Sequence, residues 1–191
     1  MWSGGKRENT MPHVCPWQHV RSLDNFLRPF FHNPKKLFGK YVKPGMKVMD
    51  VGCGAGFASI GMAHMVGEKG RVHAVDLQPE MLDMVKVRAE KAMVADRVHT
   101  HKCSENDLGL EDCFDFVNAF YMVHEVPDMV KFLTQVRSML HDDGFFYIVE
   151  PPFHVTKKEF SNMVEQAVSI GFKEYERPKM ILSRAVVFAA G

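Results

Sequence analysis

From residue 46 onward, short apolar runs alternate with segments whose apolar residues recur every three or four positions, the pattern of strands alternating with helices. Residues 46–51 form an apolar run, which predicts a strand covered on both faces, and 57–66 predicts the helix after it. Residues 71–75 predict a second strand. In 80–92, Met81, Leu82, Val85, Ala89 and Ala92 share one helical stripe. Residues 98–102 alternate as a third strand and 114–119 read as a fourth; 128–140 predicts a helix ended by Asp142, Asp143 and Gly144, and 145–149 a fifth strand. Thr156 and Glu159 have capping-box spacing, Phe160, Met163, Val164, Ala167 and Val168 supply the stripe, and Gly171 is a stop signal. Residues 172–176 and 180–189 then read as consecutive strands around Arg177 and Pro178, so one of them runs antiparallel. Ahead of all this, Asn33 and Pro34 predict the start of a short helix through Lys40, and 17–31 an amphipathic helix packed on something else. The expected class is α/β, a doubly wound sheet ending in an antiparallel hairpin.

Composition narrows the partners. The 191 residues suit one domain with a full core, and 24 basic against 23 acidic residues leave a net charge of +1. That balance supplies no global field for nucleic acid or an anionic membrane. The densest local excess, Lys35, Lys36, Lys40, Lys43 and Lys47, reads as solvated lysines around a helix. No apolar run has the length of a membrane span, and the N-terminus lacks the apolar core of a signal peptide, so a soluble cytoplasmic protein is expected. The first ten residues are polar and read as a leader. Cys15, Cys53, Cys103 and Cys113 form no C-x-x-C pair and are expected as free thiols.

The chemistry concentrates at 48–56, where an apolar strand carries Asp50 and runs into Gly52, Gly54 and Gly56. A nicotinamide or flavin fingerprint needs a third glycine where Phe57 or Ser59 stands, and a phosphate loop needs a Gly-Lys-Ser/Thr that does not follow. The remaining pattern, G-x-G-x-G after an acid, resembles the first motif of the class I S-adenosylmethionine-dependent methyltransferases. Asp76 ends the next strand, where a carboxylate is placed to accept hydrogen bonds from both hydroxyls of a ribose.

The resemblance covers 34–191 and implies a Rossmann-like seven-stranded sheet, mostly parallel, with S-adenosyl-L-methionine as cofactor and S-adenosyl-L-homocysteine as product. It implies that Asp50 lies near the methionyl ammonium, and that Gly52, Cys53, Gly54 and Gly56 pass under the carboxylate and ribose. Asp76 would bind the ribose, and Leu77 would cover one face of the adenine unless it is a core leucine. The family's third strand usually ends in Gly-Asp-Ala; here Cys103 is followed by Ser104 and Glu105, which are the candidates for the adenine amine. Asn118 and Ala119 match the position whose main chain lines the methionine tail.

Residues 120–128 resemble the loop of the small-molecule branch of that family, which includes quinone and sterol enzymes. His124 is the candidate base with Glu125 orienting it, the alternative being a histidine that caps the following helix or fills a polar niche. Tyr121, and His13, Cys15 and Trp17 in a leader and helical lid over 1–33, are the candidate acceptor contacts. His13, Cys15, Cys53 and Cys103 together would suit a thiophilic acceptor such as trivalent arsenic, although no metal-ligand spacing is present and no metal is expected. The expected activity is methyl transfer to a small molecule by in-line displacement. A non-catalytic S-adenosylmethionine-binding protein is the alternative from another class. A nucleic-acid enzyme would add a basic face or recognition domain, and the Asn-Pro-Pro-Tyr motif of amino-methylating enzymes is replaced by Asn118, Ala119, Phe120 and Tyr121. A homodimer stands as an open expectation.

Overall fold

The computed structural model describes residues 33–191. Asn33 starts it: its side chain accepts the Lys35 N–H, and Pro34 supplies a preset φ for the first turn of α1 (Pro34–Phe38). The chain then alternates β1 (Lys47–Val51), α2 (Phe57–Val66), β2 (Arg71–Asp76), α3 (Pro79–Lys91), β3 (Val98–Lys102), β4 (Phe114–Phe120), α4 (Met129–Ser138), β5 (Leu140–Glu150), α5 (Lys157–Ile170), β6 (Lys173–Glu176) and β7 (Arg184–Ala189). The strands form one seven-stranded sheet in the order β3-β2-β1-β4-β5-β7-β6. The first five are mutually parallel, and β7 runs antiparallel to both β5 and β6.

This order sets the site. The chain builds outward from β1 through β2 to β3, then returns to place β4 on the other side of β1. In sheets of this kind the ligand crevice lies outside the carboxyl ends of the strands at such a reversal, here β1 and β4. The pleat sends alternate residues of each strand into two cores. Met49, Val51, Val117, Phe146 and Ile148 face a core shared with Leu133, Val136, Phe160 and Ala167 of α4 and α5. Val48, Phe116, Tyr147 and Val187 face the other, with Phe38, Met62, Ala63 and Val66 of α1 and α2. Both faces of the central strands are therefore covered, which explains their near-continuous apolar runs.

The α5 capping box forms in both directions, with Glu159 N–H donating to Thr156 Oγ1 at 3.2 Å and Thr156 N–H to Glu159 Oε2 at 2.7 Å. Gly171 ends that helix at φ 114°.

Several boundaries differ from the sequence reading. α1 stops at Phe38, with the Gly39 N–H bonded to the Lys35 carbonyl, two residues before Lys40. The helix expected over 128–140 ends at Ser138, because Leu140 is already buried and paired with Phe114. Asp142, Asp143 and Gly144 then lie in a bulge of β5, since Phe114 pairs with Leu140 but Phe116 with Phe145. Val168 is 48% exposed, so the α5 stripe closes at Ala167. Finally, β7 begins at Arg184 after a longer connection in which Met180 and Ser183 make a lone bridge.

Candidate functional site

The crevice begins with buried Asp50, whose Oδ2 accepts the Ser59 hydroxyl at 2.5 Å and whose Oδ1 accepts Asn118 Nδ2 at 2.7 Å. One carboxylate thus joins β1, α2 and β4. Asn118 sits opposite Asp50 in the sheet, is fully buried, and its Oδ1 has no hydrogen-bond partner among the described residues. Leaving a buried acceptor unpaired costs about 1–3 kcal/mol, so this atom is one that a ligand donor would satisfy.

The three turn glycines have different surroundings. A Cβ on Gly52 (φ 62°) would lie 2.8 Å from Met122, and one on Gly56 (φ 86°), the N-cap of α2, 2.9 Å from Val85 Cγ2. The outer pair is therefore demanded by packing as well as by left-handed backbone. A Cβ on Gly54 (φ 50°) meets nothing within 4 Å among the described residues. The middle glycine faces open space, as a backbone that a ligand must approach closely requires.

Asp76 ties this turn to the end of β2. Its Oδ2 accepts the Gly54 N–H at 2.9 Å and its Oδ1 the Gln78 N–H at 2.9 Å. Burial pushes its carboxyl above the usual carboxylate range, against the lowering effect of these backbone donors. The Leu77 main chain adds a third backbone donor, and the two oxygens together keep acceptor capacity beyond these bonds, which suits ligand hydroxyls. Leu77 is half-buried beside it. The Cys103 N–H donates to the Asp76 carbonyl at 3.1 Å, so the segment after β3 borders the same edge. There, Ser104 is exposed and its hydroxyl is committed to the Asp107 carbonyl at 3.2 Å, while Glu105 is exposed.

Cys53 and Cys103 approach this edge closely enough to interact electrostatically. Burial, then the charges of Asp50 and Asp76, push the Cys53 thiol well above its ordinary value; burial and Asp76 push Cys103 up to about 11. Both shifts disfavour the reactive thiolate form.

The other wall follows β4. Ala119 is buried at its end. Tyr121 adopts φ 62°, a conformation that costs a non-glycine residue of order 1–3 kcal/mol and tends to persist at functional sites. It is held there by its N–H on the Val149 carbonyl at 2.8 Å and by its hydroxyl against Ser183 Oγ at 2.5 Å. A single 3₁₀ turn, Val123–Glu125, then presents His124.

The partner of His124 is a correction to the sequence reading. Its Nδ1 lies 2.5 Å from Glu150 Oε2, whereas Glu125 Oε1 is 4.0 Å from its Nε2. Glu150 ends β5, is 1% exposed, and its Oε1 accepts the Val123 N–H at 2.9 Å. Glu125 cannot be the main orienting group at that distance. The helix-capping alternative for His124 fails too, because Asp128 caps α4 through the Lys131 N–H. Burial pulls the His124 imidazole down, but the Glu150 hydrogen bond and the charges of Glu150 and Glu125 together hold it above the ordinary value of 6.5. The His154 ring stands 5.5 Å away.

Glu150 left one signal in the sequence. It is an acid closing an apolar strand, like Asp50 and Asp76, and Pro151 and Pro152 follow it. His13, Cys15 and Trp17 lie outside the described residues. Among the described residues, no group of three or more histidine, cysteine or acidic side chains is arranged to hold a metal ion, and no helix is long and apolar enough to cross a membrane.

The family described as "Methyltransferase domain" matches residues 42–183, which contain the glycine turn, all three strand-end acids and His124. The chain belongs to this methyltransferase family. Aklanonic acid methyltransferase DauC of Streptomyces is 27% identical over 145 residues, 73% of this chain and 66% of its own length. Demethylmenaquinone methyltransferase of Bacillus mycoides is 33% identical over 104 residues, 54% of this chain and 44% of its own. The chain thus spans less than two thirds of these curated relatives. Among solved structures, a SAM dependent methyltransferase from Aquifex aeolicus superposes with a TM-score of 0.82 at 27% identity, over 92% of this chain and 98% of that one.

The residues present fit the family's cofactor. The Gly54 backbone faces open space, Asp76 offers acceptors beside it, and the orphaned Asn118 Oδ1 awaits a donor of the kind an ammonium group supplies.

Proposed function

We propose that this chain transfers the methyl group of S-adenosylmethionine to a small-molecule acceptor. The observation that carries the reading is the glycine turn fastened to Asp76 at the reversal of strand order, with Gly54, of the three turn glycines, meeting nothing within 4 Å among the described residues. In this reading Asp76 accepts the ribose hydroxyls, Leu77 borders the adenine, and Asn118 with Asp50 receives the methionyl ammonium. Bound there, the cofactor supplies a methyl carbon on positively charged sulfur, open to direct displacement. The protein's part is to align the acceptor, exclude water and remove one proton. His124 Nε2 takes that proton as the new bond to the methyl group forms.

A small acceptor suits a chain of net charge +1 and the names of the two relatives, one for aklanonic acid and one for demethylmenaquinone. We assign residues 1–33 to a lid over the acceptor, with His13, Cys15 and Trp17 as its contacts and Tyr121 opposite.

The test is release of S-adenosylhomocysteine across a panel of thiols, quinones, phenols and trivalent arsenic. Turnover with one class defines the acceptor. Tight S-adenosylmethionine binding without release across the panel would instead favour a non-catalytic binding protein.

A further inference from the structure

We infer that Glu150 is a positioning residue that fixes the tautomer and orientation of His124, so that Nε2 is the nitrogen presented to the acceptor. The inference rests on the reading of His124 as the base. Its geometric support is independent of that reading.

Glu150 is 1% exposed, and a carboxylate so buried is tolerated only when its oxygens have donors. It has two, of different kinds. Oε1 accepts the Val123 N–H at 2.9 Å, a main-chain donor that cannot rotate away. Oε2 is thereby aimed at His124 Nδ1, 2.5 Å away. An ionised carboxylate only accepts, so the Nδ1 facing it carries the proton. In the neutral ring the lone pair must then sit on Nε2, on the side away from β5. Because Val123 and His124 belong to the same 3₁₀ turn, the one carboxylate fixes both the turn and the ring mounted on it.

Among the described residues, the charged and titratable groups around the ring are Glu150 from β5, Glu125 from its own turn and His154 from the segment after β5. Glu125 lies 4.0 Å from Nε2, beyond hydrogen-bonding distance, so it adds charge without choosing the tautomer. His154 makes a ring contact at 5.5 Å.

Glu150→Gln is the informative substitution. Its side-chain carbonyl can keep the Val123 N–H bond, which turns the amide NH₂ toward Nδ1. That group donates, so the imidazole proton must move to Nε2, and the lone pair turns inward. The expected result by ¹⁵N NMR is a neutral His124 protonated on Nδ1 in the wild type and on Nε2 in the variant. The protonation midpoint should fall from above 6.5 to below it, since burial, the largest influence, still lowers it while only the weaker charge of Glu125 still raises it. Turnover should drop by about 10²- to 10⁴-fold, as expected when a base is held in the wrong tautomer, while S-adenosylmethionine affinity stays within about twofold.

The wild-type spectrum alone can overturn the inference: a neutral His124 protonated on Nε2 contradicts it, whatever any variant does. An unchanged tautomer in folded Glu150→Gln also overturns it. If His124→Ala keeps wild-type turnover on the acceptor panel, the base reading fails and the presenting role falls with it. An inactive His124→Ala beside an unchanged Glu150→Gln tautomer removes the role of Glu150 alone.

Discussion

Alanine at Gly54 and at Gly56 should separate binding from folding two residues apart. Both positions have left-handed backbone, φ 50° and 86°, where an L-residue costs roughly 1–2 kcal/mol. At Gly56 the new Cβ also meets Val85 Cγ2 at 2.9 Å. Val85 is a short, fully buried side chain whose shift would disturb the packing of α3, so overpacking adds about 1–3 kcal/mol. Gly56→Ala should therefore lose about 2–5 kcal/mol and Gly54→Ala only about 1–2. At about 2–4 °C per kcal/mol for a domain of this size, thermal melts should show a loss of roughly 2–8 °C at Gly54 and roughly 4–20 °C at Gly56. Calorimetry should give the opposite order for S-adenosylmethionine: Gly54→Ala weakens binding at least about tenfold because its methyl occupies the ligand's approach. Wild-type affinity in Gly54→Ala would place the cofactor elsewhere. Equal destabilisation of the two variants would contradict the open space read over Gly54.

Asp76→Ala should weaken S-adenosylmethionine at least about tenfold by calorimetry, since charge-assisted hydrogen bonds contribute about 1.5–3 kcal/mol; unchanged affinity sinks the ribose assignment. His124→Ala should lower turnover by about 100-fold or more with cofactor affinity intact, and unchanged turnover would leave proximity to explain the chemistry. Wild-type turnover should fall with decreasing pH through a midpoint above 6.5, because the raised imidazole is already protonated there; a midpoint below 6.5 contradicts the Glu150 pairing. The stability from that pair runs the other way: it is fully present below 6.5 and is lost as pH rises through the folded-state value, which urea midpoints across that range would show. Removing residues 1–31 should leave a folded domain that loses turnover more than cofactor affinity, and full activity in the truncated protein refutes the lid.

What was legible in the sequence is what local pattern encodes. The strand over 98–102, the helix over 57–66 and the α5 capping box were readable because their periods and stop signals lie within a few residues of one another. The end of α4 was not, because it is decided by Leu140 pairing with Phe114, a partner far away along the chain. Asp142, Asp143 and Gly144 look like a helix stop but serve as the bulge that restores register afterwards. The same limit explains the partner of His124. Adjacency in sequence favoured Glu125, while adjacency of β4 and β5 in the sheet brought Glu150, 26 residues on, to the ring.

Three buried acids stand at or next to the ends of three strands of this sheet, and their donors distinguish them. Asp76 is held by the backbone of Gly54 and Gln78, which fixes the carboxylate without exhausting its acceptors, an arrangement suited to receiving ligand hydroxyls. Asp50 is held by the side chains of Ser59 and Asn118, and its consequence passes through Asn118: with Nδ2 turned to the acid, Oδ1 is left as the unpaired acceptor. Glu150 is held by one backbone N–H and one titratable ring, so its hydrogen bonds include one to a group that gains and loses a proton. The glycine turn and the loop after β4 also meet physically, since the Gly52 backbone packs against Met122, the residue just before the His124 turn. A side chain at Gly52 would push that loop away from the glycine turn. Under the proposed function, the spacing between methyl donor and base would then be set by this close packing of Gly52 against Met122 across the strand reversal.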